Sequence, residues 1–139
     1  MLSLSRKQSQ DAPRSPVKYP NQTFVKTEKG YFYIVNDAKR YRITSSRVLA
    51  SWRPHRVVET TEAAVSRYRI AAKMKFRNGS LIWNLDDGKI YLIEDGTRRH
   101  VVSPDVFIRL GLDPSKTMKE VMWVSKDEIS LHELGKELT

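Results

Sequence analysis

Between residues 22 and 134 the apolar side chains come in short runs broken by Gly, Asn and Asp, and across KMKFRNGSLIWNL (73–85) they mostly alternate with polar ones. A period of two is that of a half-buried β-strand, whose successive side chains point to opposite faces. The cleanest stretch runs SLIWNL (80–85), Asp87-Gly88, KIYLI, Asp95-Gly96, TRRHVV. Asp-Gly between β-rich runs marks a tight hairpin, because Gly accepts positive φ and Asp tolerates it. The pattern predicts a three-stranded antiparallel meander. It then breaks at Ser103-Pro104-Asp105, an N-cap, a first-turn proline and a first-turn acid, and Gly111 ends the short helix that follows. VMWV reads as a short strand, and Ser125 with Glu128 as a capping box. That box opens a last helix expected to run to about Leu134, ahead of Gly135.

The same plan occurs earlier in the chain. GYFYIVNDAKRYRITS (30–45) and GKIYLIEDGTRRHVVS (88–103) share five identities in sixteen at an offset of 58. Farther on, VVETTEAAV (57–65) matches MWVSKDEI (122–129) at an offset of 64, so the second copy holds about six extra residues near LDPSKT. Such self-similarity predicts a tandem repeat, Tyr33 matching Tyr91 and Ser45 matching Ser103. One substitution stands out. Ala38 replaces Gly96, and Ala resists positive φ, so the first copy's turn is expected to shift onto Asn36-Asp37 or to lengthen.

Between the copies, KMKFR-Asn78-Gly79-SLIWNL carries the strongest hairpin signal in the chain. It predicts strands near 73–77 and 80–85 that join the repeats into one body. Met74, Phe76, Leu81, Trp83 and Leu85 would share the buried face, with Lys73, Lys75 and Arg77 on the other. The expected fold class is α+β: two tandem antiparallel β-meander plus short-helix repeats joined by a shared hairpin, preceded by an extended N-terminal arm. The bounds are 1–21 for the arm, 22–77 for the first repeat and 78–139 for the second.

Charge separates these parts. Of the net +9, residues 1–30 carry +4, residues 31–77 carry +8 and residues 78–139 carry −3. A basic half joined to a mildly acidic one differs from a uniformly basic nucleic-acid binder. The arm holds three prolines, four serines and little apolar surface after Leu4, so it cannot offset its ordering entropy alone and is expected either to be a mobile tail without a role or to become ordered along a partner. Candidate partner-binding residues are Arg6, Lys7, Arg14 and Lys18 on the arm, Arg40 and Arg42 on one strand face, and Lys73, Lys75 and Arg77 on another. They read as a solvated strand face, or as the site of a partner that is either an acidic protein or nucleic-acid phosphate.

No catalytic or metal constellation accompanies them. The chain lacks cysteine, and His55, His100 and His132 lack metal-ligand spacing. Asp86-Asp87 and Glu94-Asp95 each precede a turn glycine, which accounts for them as turn residues. Register places His100 opposite Tyr91 as a stacking residue. Trp83 and Phe76 read as strand packing rather than base-stacking platforms. No cofactor is expected. No apolar run approaches 18 residues, so neither a membrane span nor a membrane partner is expected.

The stretch GKIYLIEDGTRRHVVSPDVFIRLGLD, closed by VSKDEIS, resembles a small tandem repeat of tailed-phage virion proteins and some bacterial surface proteins. In the second copy the resemblance covers residues 79–134; the first, 22 to about 65, is a diverged member. The resemblance implies a non-enzymatic attachment or assembly role without a small-molecule substrate. The expected function is that of a tailed-phage virion component (a tail, connector or capsid-decorating protein), made in the host cytoplasm and docked by its arm. Its partners would be other virion structural proteins and copies of itself. The alternative is a nucleic-acid-binding accessory protein that uses the basic strand face and arm.

Overall fold

The computed structural model describes residues 18–139. They form two compact units, one of residues 18–44 and 54–74, the other of 45–53 and 75–139. These units do not coincide with the sequence repeats, because the helix of the first copy belongs to the second unit.

The first unit begins with β1 (Thr23–Lys26), β2 (Phe32–Asn36) and β3 (Lys39–Ile43), an antiparallel meander. β4 (Val57–Glu59) adds in parallel beside β1, α2 (Glu62–Val65) follows, and β5 (Arg69–Lys73) adds in parallel beside β3. The strand order is β4-β1-β2-β3-β5. Val25, Tyr33, Val35 and Val65 form a core cluster on one face, flanked by Tyr19, Val58 and Tyr68. On the opposite face Ile34 and Ile43 are buried as well.

The second unit repeats the meander and the parallel strand beside its first strand, in a four-stranded sheet. β6 (Leu81–Asn84), β7 (Ile90–Glu94) and β8 (Thr97–His100) form the meander, and β9 (Met122–Val124) adds in parallel beside β6. α3 (Pro104–Arg109), α4 (Pro114–Lys119) and α5 (Lys126–Ile129) complete it, together with α1 (Ser46–Ser51). Both offsets read from the sequence survive in the pairing. Tyr33 faces Arg42 as Tyr91 faces His100, and Arg40 pairs with Ile70 as Arg98 pairs with Leu134. Thr61 caps α2 as Ser125 caps α5. The extra residues of the second copy are α4, opened by Pro114 and capped by Asp113.

The α+β class and the two meander-plus-helix units stand, and four details differ. First, no shared hairpin forms: β5 ends at Lys73 and pairs with β3, while β6 pairs with β7 and β9. Asn78-Gly79 is a turn, with Gly79 at φ +93°, but residues 74–77 leave β geometry. Their backbone is held otherwise: the Phe76 amide donates to His132 and the Arg77 amide to Ser51 Oγ.

Second, the inward face of β6 is the opposite one. Ile82 and Asn84 are buried while Leu85 is 57% exposed. Leu81, Ile90 and Leu92 pack against Val101, Val106 and Phe107, so apolar residues lie on both faces of the sheet and alternation could not choose between them.

Third, the turn of the first copy does not shift. Asn36 pairs with Lys39, and Asp37 and Ala38 adopt φ +51° and +62°, as Asp95 and Gly96 adopt +50° and +77°. Strand pairing on both sides imposes the conformation, and Asn21 brackets Asp37 with two hydrogen bonds.

Fourth, the last helix stops at Ile129 rather than near Leu134. Leu134 instead bridges to Arg98, and the Gly135 amide donates to the Arg98 carbonyl.

Candidate interaction surfaces

Of the predicted partner-binding residues, Arg6, Lys7 and Arg14 lie outside the described residues. Lys18 is exposed. The next residues, read as arm, are tied into the first unit. The Tyr19 amide donates to the Tyr68 hydroxyl at 2.7 Å, the Tyr19 hydroxyl donates to Thr60 at 2.7 Å, and the two tyrosine rings stack. A large aromatic beside a core cluster gains enough burial to order its own backbone.

Arg40, Arg42 and Lys73 meet on the sheet of the first unit. Arg42 is the register partner of Lys73, and Arg40 that of Ile70, with a bulge between the two pairs. The Arg42 guanidinium lies 4.1 Å from the Tyr31 ring centroid and that of Arg40 lies 5.2 Å from Tyr33. Lys75 and Arg77, expected on the same strand face as Lys73, belong instead to the irregular segment of the second unit. There the Lys75 carbonyl accepts from Trp52 Nε1. The comb of three cations on one strand is therefore replaced by a pair of strands carrying Arg40, Arg42 and Lys73. Sequence reasoning overlooked Tyr31 and the 71% exposed Ile70, which complete that face. The signal for Tyr31 was present: it sits two residues before Tyr33, hence on the same face.

The described part of the first unit holds ten lysines and arginines against four acidic residues, a net +6. In the second unit the counts are twelve and eleven. The first unit is thus basic, as expected, but the second takes Arg47, Arg53, Lys75 and Arg77 from the basic stretch and is close to neutral rather than acidic.

Two buried ionisable groups organise the second unit. Glu128 accepts from its cap partner's amide, Ser125 N, at 2.8 Å and from Arg47 at 3.2 Å. Burial alone would push its carboxyl up, but the Ser125 amide, the Ser45 and Ser125 hydroxyls and Arg47 outweigh it and hold the group below its ordinary value. His132 accepts the Phe76 amide on Nε2 at 3.1 Å, and its Nδ1 lies 2.8 Å from the Gly96 carbonyl. Since Nε2 accepts, the proton of the neutral ring sits on Nδ1 and donates to Gly96. Burial pushes His132 below the ordinary histidine value, opposed by the Gly96 bond and reinforced by Lys75 and Arg98.

A groove of about 590 Å³ lies beside α3, with Ile90, Val101, Phe107, Pro104 and Pro114 among its walls and Lys89 and His100 as its charged or titratable members. His100 packs on Tyr91 at 5.9 Å, as its register required, and faces Glu137 at 3.6 Å. Beyond the groove, Ile108, Leu110 and Leu112 are exposed by 62%, 46% and 40%. Trp123, 46% exposed, stacks on Trp83 at 4.0 Å. Among the described residues no group of three or more His, Asp or Glu side chains is arranged to hold a metal ion. Nor, among them, is any helix long and apolar enough to cross a membrane.

No family model and no curated relative matches the chain. One solved chain similar to it comes from the periplasmic assembly of the ESX-5 inner membrane complex, at 12% identity and a TM-score of 0.35, over 92% of this chain and 42% of that one. A second comes from an intact ESX-5 inner membrane complex, at 14% identity and a TM-score of 0.34, over 94% and 36%. The chain spans less than half the length of either, and at these values the likeness carries no argument about function.

Proposed function

We propose that this chain is a non-enzymatic structural protein that works by docking to other proteins, as a tailed-phage virion component of tail, connector or capsid surface. The observation that carries the docking role is the run Ile108, Leu110, Leu112, three large aliphatic side chains turned to solvent at the end of α3. Scattered apolar residues are ordinary on a surface, whereas a local cluster marks a contact site. The basic arm supplies a second attachment element, suited to acidic groups on a neighbouring subunit. The virion assignment rests on the repeat resemblance of residues 79–134. Mass spectrometry of gradient-purified phage particles tests it. The chain should be present at a copy number comparable with known structural proteins. Particles that lack it would overturn the virion reading.

A further inference from the structure

The sheet of the first unit presents cations that the unit does not neutralise. Among the described residues none of Arg40, Arg42 and Lys73 makes an ion pair. Arg42 and Lys73 are exposed register partners, and Arg40 stands two residues before Arg42 on the same face, at the edge of the face that carries Tyr33 and Val35. Long cations left without carboxylates in a unit of net charge +6 attract an anionic partner.

The face is more than charged. Tyr31, 37% exposed, carries Arg42 stacked on its ring, and Ile70 beside Arg40 is 71% exposed. In the bulge between Ile70 and Lys73 stand Ala71 and Ala72, so no side chain longer than a methyl group separates those two positions. The two arginines are two residues apart on β3, a rise of about 6.8 Å along the strand. That matches the separation of successive phosphates in an extended single strand. We propose that this face binds single-stranded nucleic acid, with Arg40, Arg42 and Lys73 on the phosphates and Tyr31 and Ile70 against the bases.

A sheet with aromatic and guanidinium planes is a stacking platform that tolerates any base. An acidic protein would use the charge but has no need of the planar and apolar neighbours. Sequence readout from a duplex would ask for an element that enters a groove, and this face offers none. The inference stands apart from the virion reading: it requires only purified protein and short nucleic acid.

The test is fluorescence anisotropy with the full chain and a labelled oligothymidylate of about 20 nucleotides, titrated with salt from about 50 to 300 mM. Affinity should fall steeply with salt. The variant R42Q/K73Q should bind about tenfold more weakly at about 100 mM, and its log–log salt slope should be shallower by about 1.4, the loss of two phosphate contacts. R109Q/K119Q, which removes the same charge from the second unit, should bind like the parent. Arg42→Lys should keep the slope and lose affinity through the stack. Should R42Q/K73Q fail to fold by circular dichroism, Lys73→Gln alone, at an exposed position, carries the test with half the slope change. Several outcomes would overturn the proposal: no binding at about 50 mM salt, equal losses in the control variant, or tighter binding to duplex. Competition by polyglutamate as strong as by unlabelled oligothymidylate would assign the face to an acidic protein instead.

Discussion

The backbone amide of Phe76 donates to Nε2 of His132 at 3.1 Å, and this bond requires the imidazole to be neutral. Protonation would put a donor against a donor, in a site already facing the cations Lys75 and Arg98. Below the ordinary histidine value of 6.5 the unfolded chain takes up a proton that the folded chain refuses, so stability falls as pH drops through that region. Above it this group contributes no pH dependence. Melting temperature should therefore decline from pH 7 towards pH 5, and His132→Gln should be less stable at pH 7 but show a flatter profile. A variant that tracks the parent across this range would remove His132 as the cause.

Glu128 adds a second acid-sensitive element. Its carboxyl is held below the ordinary 4.5, so its contribution is complete above that value and is lost as pH falls through its folded value. It closes the α5 capping box while accepting from Arg47. Glu128→Ala should cost about 0.5–2 kcal/mol in urea denaturation, since it removes a cap. Arg47, half exposed, should cost under about 1 kcal/mol when changed to Ala. Equal losses at the two positions would show that the ion pair, not the cap, dominates.

The two equivalent turns differ in one methyl group. Ala38 is held at φ +62°, a conformation that suits glycine, and Gly96 takes the same role at +77°. Ala38→Gly should stabilise the first unit by about 0.5–1 kcal/mol, net of the entropy gained by the unfolded chain. Gly96→Ala should destabilise the second by a similar amount through backbone strain, for its new Cβ would meet only the flexible end of Lys75. Opposite signs in thermal melts are the expected result, and two losses would contradict it.

Truncation separates the arm from the fold. Removing residues 2–17 should leave the melting temperature unchanged and, on the docking reading, weaken incorporation into the assembly. Tyr19→Ala should cost about 2 kcal/mol, because it vacates a place against the Val25–Tyr33–Val35–Val65 cluster and removes the hydroxyl's bond to Thr60. Incorporation of the truncated chain at the parental level would dismiss the arm as a docking element.

What the sequence determined by itself was local. Asp95-Gly96, the Ser125–Glu128 box, Pro104 at a helix start and the offsets of 58 and 64 all reappear, because turn φ, capping and repeat spacing involve residues close in the chain. The basic character of the first unit was equally legible. Tertiary structure decided the partners. Asn78-Gly79 makes its turn, yet the segments beside it pair elsewhere, since β5 finds β3 and β6 finds both β7 and β9. The parallel edge strands left no local mark, for a parallel neighbour has no turn to announce it. Ala38 in a left-handed turn shows the same priority: strand pairing on both sides outweighs one residue's preference. The basic face was half visible, Arg40 and Arg42 by their alternation. That Lys73 joins them, and that Lys75 and Arg77 do not, followed from where β5 ends and the Phe76 amide turns to His132.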